Sequence, residues 1–192
     1  QGEVQPLAAE LDREHRFPKE LIPKMGELGF MGATVPEEYG GSALSQVAYC
    51  LIVEELPAAC TSTAIIVSSQ NSLCLSPIVS FGTEEQKKEF LPKLSSGEEI
   101  GCFALSEPGT GSDAAALTCT VTPDGDEYVI NGTKNWITNG PVSDVCVLFA
   151  MQDKERKHRG VTAFVHRMDL PGISVGKPED KLGICASPTA SI

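Results

Sequence analysis

The apolar residues of this chain change period once, close to residue 98, and that change limits what the chain can fold into. Up to about residue 98 the spacing is helical. In PKELIPKMGELG the apolar positions Leu21, Met25 and Leu28 fall at i, i+4 and i+7, with Pro18 suited to a first helical turn and Gly29 to a stop. VPEEYGGS reads as a loop. LSQVAYCLIVEELP and STAIIVSSQNSLCLSPIVSFG then read as helices apolar on most of their surface, which predicts burial between neighbours. Thr83 and Gln86 stand in capping-box spacing ahead of a short charged helix. From about residue 99 the period is two. TCTVTPDGDEYVINGTKNWIT, DVCVLFAM, GVTAFVH and GISVG read as strands, with turns at PDGD and at Asn131-Gly132, a strong hairpin dipeptide. The expected fold class is α+β: an α-helical domain over residues 1–98, then a small antiparallel β-barrel or sandwich over residues 99–192.

Charge and composition remove several function classes. With 26 acidic against 15 basic residues the formal charge is −11, and no lysine and arginine stripe is available to neutralise a phosphate backbone, so nucleic acid is not an expected partner. The longest apolar runs, TAIIVSS and VCVLFAM, fall short of the roughly 20 residues that cross a bilayer, and no membrane span is expected. The seven cysteines form no C-x-x-C pair and sit mostly in apolar segments, which reads as buried free thiols of a reducing compartment. His15, His158 and His166 are scattered, so neither a metal site nor a triad is expected. The opening QGEVQPLAAELDREH lacks a methionine and reads as mid-helix, and SPTASI is an uncapped apolar close; a fragment or processed chain is expected.

CFALSEPGTGSDAAA carries glycines at 109 and 111 and an alanine at 114, the G-x-G-x-x-G/A spacing of dinucleotide-binding turns. The fingerprint requires a strand before it, a helix directly after it and parallel βαβ continuation, whereas β-branched alternation and a hairpin follow here. A nicotinamide fold is therefore not expected. The glycines still permit a turn whose amides approach phosphate oxygens.

CFALSEPGTGSD, INGTKNWITNG and EDKLGI in that order, with ELGFMGATVPEEYGG and FGTEEQKKEFLPKLSSGE upstream, resemble the acyl-CoA dehydrogenases, flavoproteins that desaturate acyl-CoA thioesters between the α and β carbons. The resemblance covers essentially the whole chain and is most like the short-chain, butyryl-type members. It implies the first two of three family parts: a helical amino-terminal domain and a β middle domain, ahead of a carboxy-terminal four-helix domain.

For FAD, the resemblance implies Phe103, Leu105 and Ser106 bordering the isoalloxazine ring, with Ser106 at the pyrimidine edge. Gly111 and Ser112 fall at the pyrophosphate, Ser112 also near the acyl-CoA. Trp136 packs beside the ring with Ile137 and Thr138, whose hydroxyl reaches the N5 region. Donors preplaced where charge develops favour reduction. Taken singly, Trp136 and Phe103 fit a core and Ser106-Glu107-Pro108 an ordinary turn; their joint order and spacing point to a flavin wall. The family's base is a glutamate of the carboxy-terminal domain, and no residue here matches it. Glu54, Glu55 and Glu107 read as solvated or structural, so the chain alone is expected to be inactive. The resemblance further implies an acyl-CoA substrate, electron-transfer flavoprotein as acceptor, a homotetramer, and the mitochondrial matrix or a bacterial cytoplasm. Cys185 in LGICAS stands where the family usually has arginine or another polar residue, which puts the fit of that loop in doubt. Two alternatives stay open: a truncated, non-catalytic acyl-CoA- or flavin-binding assembly module, and an oxidase of the same fold.

Overall fold

The computed structural model describes residues 2–192. Its helices are α1 (Gln5–Arg13), α2 (Ile22–Glu27), α3 (Gln46–Ala59), α4 (Thr61–Ser68), α5 (Ser76–Phe81) and α6 (Glu84–Ser96). Its strands are β1 (Gly101–Ala104), β2 (Thr120–Asp124), β3 (Glu127–Asn131), β4 (Ile137–Thr138), β5 (Val145–Met151), β6 (Val161–Arg167) and β7 (Thr189–Ala190).

Local signals explain most helix starts. The capping box of α6 forms in both directions, with Gln86 N donating to Thr83 Oγ1 at 3.3 Å and Thr83 N to Gln86 Oε1 at 2.9 Å. In α2 it is Pro23, not Pro18, that occupies the first turn; Pro18 lies in the loop before it, and the exposed Leu28 falls just past the helix. A π-helical turn over Ser69–Leu75 joins α4 to α5, giving one helix over Thr61–Phe81, 21 residues long. By length and composition alone it could cross a bilayer, although its separate apolar runs are short. Half of it is buried inside the protein, however, and it carries two buried amides, as a core helix does.

Those amides set the position of the sheet. Gln70 donates to Leu94 O at 2.8 Å and Glu99 O at 3.2 Å and accepts from Gly101 N at 2.8 Å, so one side chain joins the end of α6 to the start of β1. Asn71 accepts from Ala33 N and donates to Phe30 O, both at 2.8 Å. The approach is close: a Cβ on Gly101 would lie 2.1 Å from Cys74 Sγ.

The expectation that α3 is buried is overturned, since none of its residues is buried and Val47 is 71% exposed. One side of α3 packs on α4, and the rest of its apolar surface has no partner among the described residues. Cys50, which it carries, is accordingly the exposed cysteine; the other six are buried free thiols, as expected.

The sheet is mixed rather than antiparallel. β5 is its centre, pairing antiparallel with β6 along one edge, while the other edge holds β1 in parallel and touches β2, also parallel, at Thr120↔Met151. β2 and β3 form an antiparallel hairpin, and β4 pairs with β7 in a separate two-stranded sheet. The parallel pairing arises because the β2–β3 hairpin and β4, instead of a tight turn, connect β1 to β5. The hairpin turns at Gly125-Asp126 within PDGD; Asn131-Gly132 makes no hairpin. Gly132 instead permits a close crossing, since a Cβ there would lie 2.7 Å from Cys119 Cα. GISVG forms no strand, although Gly176 N donates to Ser191 O at 2.8 Å.

Both faces of the sheet are covered. Val145 and Val147 pack with Leu75, Ile78, Phe90, Leu91 and Leu94 of the helical layer. Cys146, Leu148 and Ala150 alternate to the other face, with Cys102, Ala104, Cys119, Val121 and Ile137.

Candidate functional site

Beyond β1 the chain passes through Leu105 and Ser106 into a tight turn closed by Glu107 N to Thr110 O at 2.8 Å and Thr110 N to Glu107 O at 3.2 Å. The segment before β4 lies directly beside it. Asn135 N donates to Ser106 O at 2.8 Å, and Lys134 Nζ donates to Leu105 O at 3.1 Å. The same ammonium meets Glu107 Oε1 at 2.9 Å, with Lys134 and Glu107 only 1% and 3% exposed. Glu107 Oε1 also accepts from Cys119 N at 2.9 Å, and Oε2 accepts from Thr118 N and Thr118 Oγ1, each at 2.6 Å. Burial pushes this carboxyl up, but hydrogen bonds from the Thr118 hydroxyl, Lys134 and the Thr118 and Cys119 amides outweigh it and hold the group at about 2. With its acceptor sites filled, Glu107 is structural, as the sequence indicated, and has no lone pair free for a base's work.

The far side of the segment is also tied. Lys134 N donates to Ile192 O at 2.8 Å and Ile192 N to Lys134 O at 2.9 Å, after which β4 runs along β7. Between these anchors Trp136 adopts φ 56°, uncommon for a bulky residue, and its indole is left 66% exposed. A Cβ on Gly111 would lie 3.8 Å from Ser106 Oγ, so the glycine turn sits against the same strip. Among the described residues the hydroxyls of Ser106, Ser112 and Thr138 make no hydrogen bond, nor do the backbone amides of Gly109, Gly111 and Ser112.

Leu105, Ser106, Gly111, Ser112, Trp136 and Thr138 all keep some exposure, on two segments tied into one strip by the Asn135–Ser106 and Lys134–Leu105 bonds. Ile137 does not, and Phe103 is half-buried. The Phe103 ring packs on Phe149, centroids 4.9 Å apart, against the core beneath the helices, and Ile137 is buried on the opposite face. Ile137 can support the strip from beneath, and Phe103 supports it through its contact with Phe149. The strip offers an aromatic face, free hydroxyls and unpaired amides, a donor set that fits a flavin ring and its pyrophosphate. Its one lysine, Lys134, is already paired, so anion contacts fall to amides. Only a three-residue 3₁₀ turn, Ala114–Ala116, follows the glycines before β2, and the dinucleotide fingerprint lacks its helix as expected.

The loop carrying Cys185 is held despite that residue. Cys185 N donates to Asp12 Oδ1 on α1 at 2.8 Å, and Lys181 Nζ donates to Ile184 O at 2.8 Å and Ser187 O at 2.5 Å. Burial pushes the Cys185 thiol up. Asp12, Gln70 and Lys134 were not legible as positioning residues, because each reads locally as a solvated polar side chain.

A helical layer on a mixed sheet, with the SEPGTGSD turn locked to the TKNWIT segment, defines an acyl-CoA dehydrogenase arrangement. Residues 1–98 match the acyl-CoA dehydrogenase N-terminal domain and residues 102–192 the acyl-CoA dehydrogenase middle domain; the chain belongs to this family. It is 50% identical over 190 residues to the mitochondrial short-chain specific acyl-CoA dehydrogenase of Mus musculus, a match covering 99% of this chain and 46% of the relative. The solved structure of butyryl-CoA dehydrogenase from Megasphaera elsdenii superposes with a TM-score of 0.92 at 41% identity, covering 98% of this chain and 50% of that one. A chain in the structure of the electron transferring flavoprotein of Acidaminococcus fermentans superposes at 0.94 with 45% identity, again over 98% and 50%. The chain therefore spans about half the length of the relatives it matches.

Proposed function

We propose that this chain is the flavin-holding part of an FAD-dependent short-chain acyl-CoA dehydrogenase. The observation that carries the reading is the hydrogen bond from Asn135 to Ser106, which ties the segment carrying the exposed Trp136 and the free Thr138 hydroxyl to the segment carrying the free Ser106 hydroxyl and the open amides at Gly111 and Ser112. FAD would supply the acceptor for the hydride that leaves the β carbon of the thioester. The chain's own residues bind and orient. Trp136 covers one side of the ring and keeps water from it. Ser106 and Thr138 donate hydrogen bonds to its polar edge, where preplaced dipoles need no reorganisation. The Gly111 and Ser112 amides hold phosphate oxygens, and Ser112 reaches toward the acyl-CoA. Leu105 lines the ring, backed by Phe103 and Ile137. A short acyl-CoA substrate is supported by the names of the mouse and Megasphaera relatives, and an electron-transferring flavoprotein partner by that of the Acidaminococcus structure. A homotetramer belongs to the same reading. Mitochondrial matrix fits the mouse relative, and bacterial cytoplasm the other two.

Trp136 is the single tryptophan, so its fluorescence reads the site directly. Titration with FAD is expected to quench it saturably, and riboflavin, which lacks the pyrophosphate, to bind at least about tenfold more weakly, the loss of one or two charge-assisted hydrogen bonds. Absent quenching, or equal affinity for the two flavins, would count against the assignment.

A further inference from the structure

The buried pair of Lys134 and Glu107 takes no part in binding as described, yet each group sits between the two segments that would face the flavin. Lys134 joins Glu107 to Leu105 O, and Glu107 gathers Thr118 and Cys119, so three stretches of chain converge on two side chains. A buried ion pair of this kind adds little net stability, because desolvation offsets the Coulomb attraction, and apolar replacement of the whole pair is often neutral. What it can supply is register. An ammonium that must satisfy one carboxylate and one carbonyl fixes Leu105 and Glu107 relative to residue 134, and Trp136 follows only two residues later in a conformation that few tryptophans adopt. The single backbone bond from Asn135 to Ser106 is the other tie at this seam.

We infer that Lys134 and Glu107 are positioning residues for the flavin-facing strip: their ion pair sets the separation and tilt of Trp136 relative to Ser106, without touching the cofactor. The inference rests on the flavin reading above, and the test separates the two. Lys134→Met leaves Glu107 with its three remaining donors, while the double variant Glu107→Gln with Lys134→Met leaves no buried charge and keeps one side-chain oxygen to accept from Thr118 or from the Cys119 amide.

Two measurements on the 192-residue chain decide it. In the absence of flavin, the emission anisotropy of Trp136 and its quenching by acrylamide report how firmly the strip is held. With FAD added, the dissociation constant and the near-ultraviolet circular dichroism of the bound flavin report its placement. For the double variant, and for Lys134→Met if it folds, we expect a lower thermal midpoint with the fold retained at the assay temperature, looser Trp136 without flavin, about tenfold weaker FAD binding and an altered flavin dichroism. Unchanged Trp136 anisotropy and FAD affinity within twofold of the parent would overturn the inference. So would loss of FAD binding with unchanged Trp136 anisotropy, or binding that falls only in step with unfolding. If the parent itself binds no FAD, the flavin reading fails, while the Trp136 measurement still decides whether the pair positions the strip.

Discussion

Glu107 stabilises the fold only while it is ionised. Its carboxyl lies at about 2 in the folded protein against an ordinary value of 4.5, so the folded state holds the anion and the unfolded chain takes up the proton first as pH falls. Stability from this group is complete above about pH 5 and is lost as the pH falls toward 2, a change of roughly 3 kcal/mol. Urea midpoints measured from pH 6 to pH 2 should fall in the parent and fall less in Glu107→Gln; parallel curves would place the acid sensitivity elsewhere. Thr138 offers the second test at this scale. Its hydroxyl is unpaired in the fold, so Thr138→Ala should leave the thermal midpoint unchanged while weakening FAD binding by about 1 kcal/mol, roughly fivefold. Equal affinity would move the ring's polar edge away from β4. The sequence motifs marked Trp136 and Thr138, but on residue type alone Trp136 fitted a core as well. Its exposure follows from a left-handed backbone conformation, which no hydrophobic pattern encodes. Lys134 was illegible for the opposite reason, since a lysine between turn residues reads as solvated until its carboxylate, 27 residues away, is placed beside it.

At the scale of elements, helices and strands were legible wherever the signal was local. The α6 capping box needs four residues, and the change of period near residue 98 needs two adjacent windows. Pairing was less legible, because it is decided by residues far apart. Asn131-Gly132 has the chemistry of a hairpin turn, yet β3 is already paired with β2 and β4 with β7, so the dipeptide serves a crossing over Cys119. Likewise β1 and β5 share no local code for running parallel. The apolar surface of α3 misled in another way, since periodicity reports what could be buried and not what buries it. Its exposure makes a plain prediction: Val47→Lys should change stability by no more than about 0.5 kcal/mol. Gln70→Leu, by contrast, should cost about 2–3 kcal/mol by leaving the Glu99 carbonyl and the Gly101 amide without the side chain that pairs them and taking one of two donors from Leu94 O. Thermal unfolding of the two variants checks both, and a large loss at Val47 would mean that α3 is covered in solution.

Across the whole molecule, the helical layer and the sheet share one core. Val145 and Val147 of β5 lie in the same cluster as Leu75, Phe90, Leu91 and Leu94, and Gln70 bonds both sides of the junction. Neither layer can open alone without exposing that surface and stranding the Gln70 amide. The two parts should therefore unfold together, although the period change and the family match both divide the chain there. The molecule provides a probe for each part: far-ultraviolet circular dichroism is dominated by the helices, and tryptophan emission, excited selectively over the three tyrosines, comes from Trp136 alone, on the β side. Urea titrations followed by the two signals should give coincident midpoints. Leu91→Ala, a fully buried truncation on the helical side of the shared core, should cost about 2–5 kcal/mol and shift both midpoints by the same amount. A shift seen by dichroism while Trp136 emission holds its parent midpoint would show that the sheet stands without the helices. The strip at Ser106 and Trp136 would then owe its shape to β1, β4 and β7 alone, and the Gln70 bonds would merely attach the helical layer.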